Sequence, residues 1–154
     1  MRASMDRRVF LKRCVAAGVV GTGLLLPRRA WAAWPQKAFA DRALSEAMMD
    51  LLGSTDAATS NAVEVAAPAT VENGAVVPVT ASTTLDSVQS LSLFAEGNFH
   101  PLLAHVVLTA SAVPYYSTQV RLARTGNVIA VVKANGKLYQ ARTQVKVTVG
   151  GDGG

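Results

Sequence analysis

Hydrophobic and polar residues alternate with a period of two along the chain from about Asn61 to Val149. Four clusters of turn-forming residues separate the alternating runs, at 72–74, 96–98, 125–127 and 134–136. Seven short strands in roughly 90 residues predict an all-β fold, an immunoglobulin-like sandwich of two antiparallel sheets. The seven runs are AVEVAAP, AVVPVTAS, VQSLSLFAE, LLAHVVLTA, YYSTQVRLAR, NVIAVVKAN and LYQARTQVKVTV.

Two positions within these runs carry more specific predictions. The last two runs meet at Asn135-Gly136, and both residues tolerate positive φ, so we predict a hairpin that turns there. Pro78 interrupts the second run and has no N–H to donate to a neighbouring strand. We therefore predict an edge or a bulge at that point of the sheet.

The segment before the strands, residues 33–56, has the spacing of an amphipathic helix. Leu44, Met48 and Leu51 stand at i, i+4 and i+7, Pro35 lies near the start, and Gly53 is placed to cap the C-terminus. We expect the apolar stripe of this helix to dock on the core of its own domain. Packing on a partner subunit is the alternative.

The N-terminal residues 1–32 have the order of parts found in an export signal. The segment from Asp6 to Arg13 is basic and has the pattern Arg-Arg-x-Phe-Leu-Lys, which resembles a twin-arginine signal. Cys14–Pro27 is apolar but short and rich in glycine, and Ala30–Ala32 is a small-x-small cleavage sequence. We expect export to the periplasm by the twin-arginine route and no membrane association of the mature chain.

The charge balance changes when this signal is set aside. The 154 residues carry a formal net charge of +5, but residues 1–32 hold seven of the 15 Lys and Arg and one of the 10 Asp and Glu. The remaining 8 basic and 9 acidic residues give a net charge of −1, which removes the basis for nucleic-acid binding. The single cysteine, Cys14, also lies in the signal, so the mature chain must be stabilised without a disulfide.

The titratable and nucleophilic residues form no familiar catalytic pattern. His100 falls in a predicted loop and His105 in a strand, and neither has a cysteine or a carboxylate pair beside it in sequence. We expect His105 to be a half-buried strand residue with one satisfied nitrogen. No serine stands in a G-x-S-x-G elbow, and no helix follows the terminal glycines as a phosphate loop requires. The sequence therefore predicts a scaffold that needs no cofactor, and not an enzyme.

The C-terminal tail is the most unusual segment. Val145, Val147 and Val149 continue the alternation of the last strand, and four glycines then surround one carboxylate: Gly150, Gly151, Asp152, Gly153 and Gly154. Glycine gives the backbone freedom and little width, and five extended residues reach about 17 Å. Such an arm can carry residue 152 into a narrow cleft of another protein. A frayed terminus without a task is the alternative.

Taken together, these segments resemble the Y subunit of SoxYZ, the carrier complex of sulfur oxidation. The resemblance is most specific in the terminal Gly-Gly-x-Gly-Gly, and it extends to the signal at Arg7-Arg8, the helix near 40–52, and the stretches 72–80 and 114–151. It implies an immunoglobulin-like fold and a heterodimer with a SoxZ-like subunit. It also implies that the arm's central cysteine carries sulfur intermediates covalently to SoxXA, which contains haem, to SoxB, which contains two manganese ions, and to SoxCD.

The chain departs from that family at the carrier position, where Asp152 stands in place of cysteine. A thiolate forms disulfide or S-thiosulfonate bonds and a carboxylate does not, so this form is expected to be inactive as a carrier. We expect an engineered substitution, with a natural carrier-dead paralogue as the alternative. The fixed charge of Asp152 would imitate an anionic form of the cysteine or reach the dimanganese centre of a partner. The loop at 96–101 is also less rich in proline than in the family.

The sequence therefore predicts four segments: the signal at 1–32, the helix at 33–56, the sandwich at 57–149 and the carrier arm at 150–154. Three other functions remain open. An exported immunoglobulin-like binding module would have an idle tail. A ubiquitin-like sulfur carrier would use the terminal Gly153-Gly154, although its cytosolic activation and β-grasp fold disagree with the signal and the strand pattern. An enzyme is the third alternative.

Overall fold

The computed structural model describes residues 43–149, and these form one helix and nine strands. All seven predicted runs contain a strand, and two further short strands, at Ala58–Thr59 and Thr70–Asn73, join them. The predicted signal, the first part of the predicted helix and the predicted arm lie outside the described residues. The elements are α1 (Leu44–Leu52), β1 (Ala58–Thr59), β2 (Val63–Ala66), β3 (Thr70–Asn73), β4 (Val77–Thr83), β5 (Val88–Ala95), β6 (Leu102–Val107), β7 (Tyr115–Val120), β8 (Gly126–Ala134) and β9 (Lys137–Val149).

The strands form the predicted immunoglobulin-like sandwich of two sheets. The larger sheet has the order β1-β9-β8-β5-β6, with β3 also paired to β9, and the smaller has the order β2-β4-β7. The seven predicted strands pair antiparallel, whereas β1 and β3 pair parallel with β9. The sequence predicted a turn at 72–74 and so missed β3. Glu72 and Asn73 are the last residues of that strand, and the turn begins at Gly74.

The core between the two sheets consists mainly of small aliphatic side chains that recur at every second position. In β4, the inward-facing Val77, Val79 and Ala81 are buried, while the intervening positions are more exposed. They pack against alternate residues of the larger sheet, in β5, β8 and β9: Leu91, Leu93, Ala95, Val128, Ala130, Val132 and Val145. Strand alternation thus supplies the inner, buried face of each sheet.

The outer face of the larger sheet is covered by α1. Ala47 and Met48 of the helix are buried against a second apolar cluster, which includes Phe94 of β5 and Val131 of β8. The central strands β5 and β8 are therefore buried on both faces, which explains their nearly continuous apolar sequences. The prediction that the helix docks on its own domain is confirmed. It ends at Leu52, and Gly53 caps it at φ 77°, with its N–H donated to Met49 O.

The structure also confirms the predictions for the Asn135-Gly136 hairpin and for Pro78. Asn135 and Gly136 both have positive φ, 50° and 73°, in the β8–β9 hairpin. Pro78 of β4 is paired with Gln119 of β7, whereas the pairing of β4 with β2 does not extend beyond Thr80. In the described sheet Pro78 thus has a strand neighbour on one side, as an edge position requires.

The strand directions bring three connections to the end of the sandwich at which β9 finishes. These are the β3–β4 turn (74–76), the β5–β6 loop (96–101) and the β7–β8 loop (121–125). We call their exposed surface, together with Val149, the arm-end face. None of the described helices is both long and apolar enough to cross a membrane.

Candidate functional site at the end of strand β9

Strand β9 keeps its pairing to its final residue, as the alternation of Val145, Val147 and Val149 predicts. On one side it is paired with β3, in the register Thr70↔Lys146 to Asn73↔Val149. The N–H of Lys146 donates to Ala69 O at 2.9 Å, and the N–H of Gly74 donates to Val149 O at the same distance. The last described residue is therefore hydrogen-bonded. The predicted arm residues Gly150, Gly151, Asp152, Gly153 and Gly154 lie outside the described residues.

On the other side of β9, a side chain that precedes β8 extends the hydrogen bonding beyond the paired part of β8. The paired part of β8 starts at Gly126, opposite Val145. Beyond it, the Thr125 hydroxyl accepts a hydrogen bond from Val147 N–H at 2.9 Å and donates one to Val147 O at 3.3 Å. This hydroxyl thus makes the two hydrogen bonds with the Val147 backbone that a residue of a paired strand would otherwise make. The sequence marked 125–127 as a turn but gave no signal for this contact.

The β3–β4 turn links this root to the β7–β8 loop. Within the turn, Asn73 Oδ1 accepts the N–H of Ala75 at 2.8 Å, an Asx-type turn that holds the corner. The carbonyl of Gly74 accepts the N–H of Leu122 at 2.8 Å, while its own N–H is bonded to Val149 O. Gly74 therefore links the end of β9 to the β7–β8 loop.

The β5–β6 loop is fastened to the β7–β8 loop by Asn98. Its Nδ2 donates to Arg121 O at 2.7 Å, and its Oδ1 accepts the N–H of Ala123 at 2.8 Å. Beside it the two backbones approach so closely that a Cβ on Gly97 would lie 2.8 Å from Arg124 O. Contacts at that distance are not tolerated, so this position requires glycine.

The same loop presents an aromatic ring to solvent. The Arg124 guanidinium carbon lies 5.1 Å from the centroid of the Phe99 ring, within the range of a cation–π contact, and its Nε donates to Gly97 O at 2.8 Å. Phe99 nevertheless remains 59 % exposed. Val76 of the β3–β4 turn and Val149 are also exposed, so the arm-end face carries three large apolar side chains.

Charge on this face is mainly positive. The β7–β8 loop contributes the exposed Arg121 and Arg124 and no carboxylate. In the β5–β6 loop, Glu96 lies 3.9 Å from Arg142 and accepts a hydrogen bond from Asn127 at 2.7 Å, so its charge is partly compensated. An anionic surface would therefore be favoured next to this face.

The two histidines do not come together into a site. His100 lies in the β5–β6 loop and His105 in β6, and no group of three or more His, Cys, Asp or Glu within residues 43–149 is arranged to hold a metal ion. His105 is half-buried, as predicted, and its Nδ1 lies 2.9 Å from Ser92 Oγ. Burial lowers the pKa of His105 below 6.5. Ser92 is fully buried, so its hydroxyl supports the histidine and cannot meet a substrate.

Comparison with known proteins identifies the family of this chain. The family model described as "Sulfur oxidation protein SoxY" matches residues 48–151. The solved structure of the sulfur carrier protein SoxY from Chlorobium limicola f thiosulfatophilum is 38 % identical, covers 70 % of this chain and 97 % of its own, and superposes with a TM-score of 0.64. No curated protein sequence matches this chain.

A second group of solved structures shares the fold at lower identity. The superoxide reductase (neelaredoxin) from Ignicoccus hospitalis is 21 % identical, with a TM-score of 0.50, and covers 73 % of this chain and 97 % of its own. Two further structures of that reductase, both of substituted forms, are each 23 % identical with the same TM-score. At this identity the likeness concerns the sandwich alone.

Proposed function

Because the chain belongs to the SoxY family of sulfur-oxidation proteins, we propose that it is built as the carrier subunit of thiosulfate oxidation in the periplasm. The observation that carries the proposal is the end of β9. Hydrogen bonds hold the strand on both sides as far as Val147 and Val149, and the sequence then continues as Gly-Gly-Asp-Gly-Gly. A fixed root followed by a narrow arm is the arrangement that a carrier needs to present residue 152 to other proteins.

The chemistry at residue 152 decides whether the carrier works. In a family member with cysteine there, the thiolate and thiosulfate form a sulfur–sulfur bond and yield an S-thiosulfonate and two electrons. The haem-containing SoxXA and a c-type cytochrome accept those electrons. Asp152 cannot form that bond, because a carboxylate is not a sulfur nucleophile. We therefore propose that this form is a non-catalytic and inactive carrier, with an engineered substitution at the carrier position.

A carboxylate at the tip of the arm gives this form a different use. It imitates the negative charge of a sulfonated or oxidised cysteine, so it is suited to hold the arm in a partner's pocket without turnover. It is also a hard ligand suited to manganese, the metal of the SoxB active site. A structure of the complex with Asp152 outside the catalytic cleft would count against both ideas.

Partnership with a SoxZ-like subunit and delivery to SoxXA, SoxB and SoxCD are part of this proposal. So is export by the twin-arginine route, which rests on residues 1–32. The proposal involves no cofactor held by this chain, no nucleic acid and no membrane. The competing function is an exported immunoglobulin-like binding module with an idle tail. In that case, deleting Gly150–Gly154 would leave every binding event unchanged.

Intact-mass spectrometry tests the proposal. The chain as given and its Asp152→Cys variant are each co-expressed with a SoxZ-like subunit and incubated with thiosulfate, SoxXA and a c-type cytochrome. We expect a reductant-labile mass adduct on the variant and none on the parent. An absence of adduct on both would overturn the carrier function and favour the binding module.

A further inference from the structure

The length of the arm limits where a partner enzyme can sit. Residue 152 lies three positions beyond Val149, so their Cα atoms are at most about 11 Å apart even when the chain is fully extended. An enzyme that acts on residue 152 must therefore bring its reaction centre close to the end of β9. Reaction centres lie below the enzyme surface, so that surface must press against the arm-end face while the arm is inserted.

The size of a specific interface then determines which residues are covered. A specific interface of standard size buries about 600–1,000 Å² on each partner, a patch roughly 30–35 Å across. Strands β9 and β5 are separated by β8, which places them about 10 Å apart at a normal strand spacing. A patch centred on Val149 therefore includes the β5–β6 and β7–β8 loops.

We infer that Phe99, backed by Arg124, is the anchor with which the arm-end face docks on the enzymes that process residue 152. This inference rests on the proposed carrier function. Phe99 has a large side chain and is 59 % exposed, although the Arg124 guanidinium lies 5.1 Å from its ring and the Asn98 hydrogen bonds fix the loop that carries it. Rigid aromatic side chains of this kind bind at small entropic cost and dominate interface energies.

The chemistry of the face specifies the partner's surface. Phe99, Val76 and Val149 require an apolar socket around the mouth of the enzyme's cleft. The exposed Arg124 favours carboxylates on the rim of that socket. One such surface would be shared by successive enzymes, because each must receive the same arm from the same root.

Kinetics of loading test the anchor with a matched control. In the Asp152→Cys chain with its SoxZ-like subunit, we would compare Phe99→Ala with Tyr115→Ala. Tyr115 is equally exposed, at 58 %, but begins β7 at the opposite end of the sandwich. With SoxXA, thiosulfate and a c-type cytochrome as electron acceptor, Phe99→Ala should raise the apparent KM for the carrier at least tenfold with kcat unchanged, because docking is lost equally in the ground and transition states. Tyr115→Ala should stay within twofold of the Asp152→Cys chain, which is the parent in this experiment.

Direct loading separates docking from thiol chemistry. Tetrathionate loads a thiolate without an enzyme. The thiolate sulfur attacks an inner sulfur of tetrathionate and the central sulfur–sulfur bond breaks, so thiosulfate leaves and the cysteine keeps an S-thiosulfonate group. All three proteins should load at equal rates. The anchor would be refuted by an unchanged KM in Phe99→Ala, by equal rises in both variants, or by slower loading with tetrathionate. If the parent itself takes no adduct from SoxXA but loads with tetrathionate, the proposed function has failed instead.

The dependence of loading on ionic strength tests the role of the positive charge on the arm-end face. The kcat/KM of the parent should fall as ionic strength rises, because salt screens attraction between exposed charges. Arg124→Gln should flatten that dependence, and Arg124→Lys should retain it. A parent with no salt dependence would overturn the acidic rim.

Discussion

Replacing Thr125 with valine should loosen the root of the arm without disturbing the rest of the sandwich. The change is nearly isosteric, but it removes both hydrogen bonds between the Thr125 hydroxyl and Val147, at 2.9 and 3.3 Å. A hydrogen bond contributes about 0.5–1.5 kcal/mol net. Because Thr125 is exposed and water replaces part of the loss, we expect about 1 kcal/mol for the two together.

Amide hydrogen exchange measured by NMR reports this local opening. A loss of about 1 kcal/mol should speed exchange at Val147 N–H roughly fivefold, since 1.4 kcal/mol corresponds to a factor of ten. Thr125→Ser keeps the hydroxyl and should keep most of the protection. Unchanged exchange in the valine variant would refute the contact, and faster exchange across all of β8 and β5 would show a global loss of stability instead.

Two further perturbations probe the loops and β6. Gly97→Ala places a Cβ 2.8 Å from Arg124 O, so the two loops must separate, and we expect about 1–3 kcal/mol lower stability in urea unfolding; an unchanged midpoint would contradict the close approach. His105 has a pKa lowered by burial, so below pH 6.5 the unfolded chain binds more protons than the native one. The free energy of unfolding should therefore fall from pH 6.5 towards that lowered pKa. His105→Gln should remove this part of the pH dependence, and an equally steep dependence in the variant would show that other groups cause it.

The strand pattern could be predicted because each half-buried strand has a period of two that is visible in the sequence itself. The seven predicted runs became β2 and β4 to β9, and the hairpin at Asn135-Gly136 followed from the φ values its residues tolerate. Strand β3 could not be predicted in the same way. It has four residues, partly exposed, and its pairing with Lys146–Val149 depends on a partner more than 70 positions away.

The contacts of the candidate site show a similar limit. The end of regular pairing at Val149 could be located, because glycine follows a valine alternation. The Thr125 hydroxyl, the Asn98 bridge and the Phe99–Arg124 stack join residues 22 to 25 positions apart and have no local sequence signature. Only the fold determines which polar side chain in a loop meets which backbone group.

The pairing of β9 with two short strands has a consequence for self-association. β9 is 13 residues long, and an uncovered strand of that length is a template for pairing between copies and for aggregation. β1 covers its start at Tyr139 and Gln140, and β3 covers its end from Lys146. The uncovered interval of the described strand between them carries Arg142 and Gln144, which are exposed and polar. Solubility of the folded chain thus depends on two small strands whose removal should turn the longest strand into a site of intermolecular β-pairing.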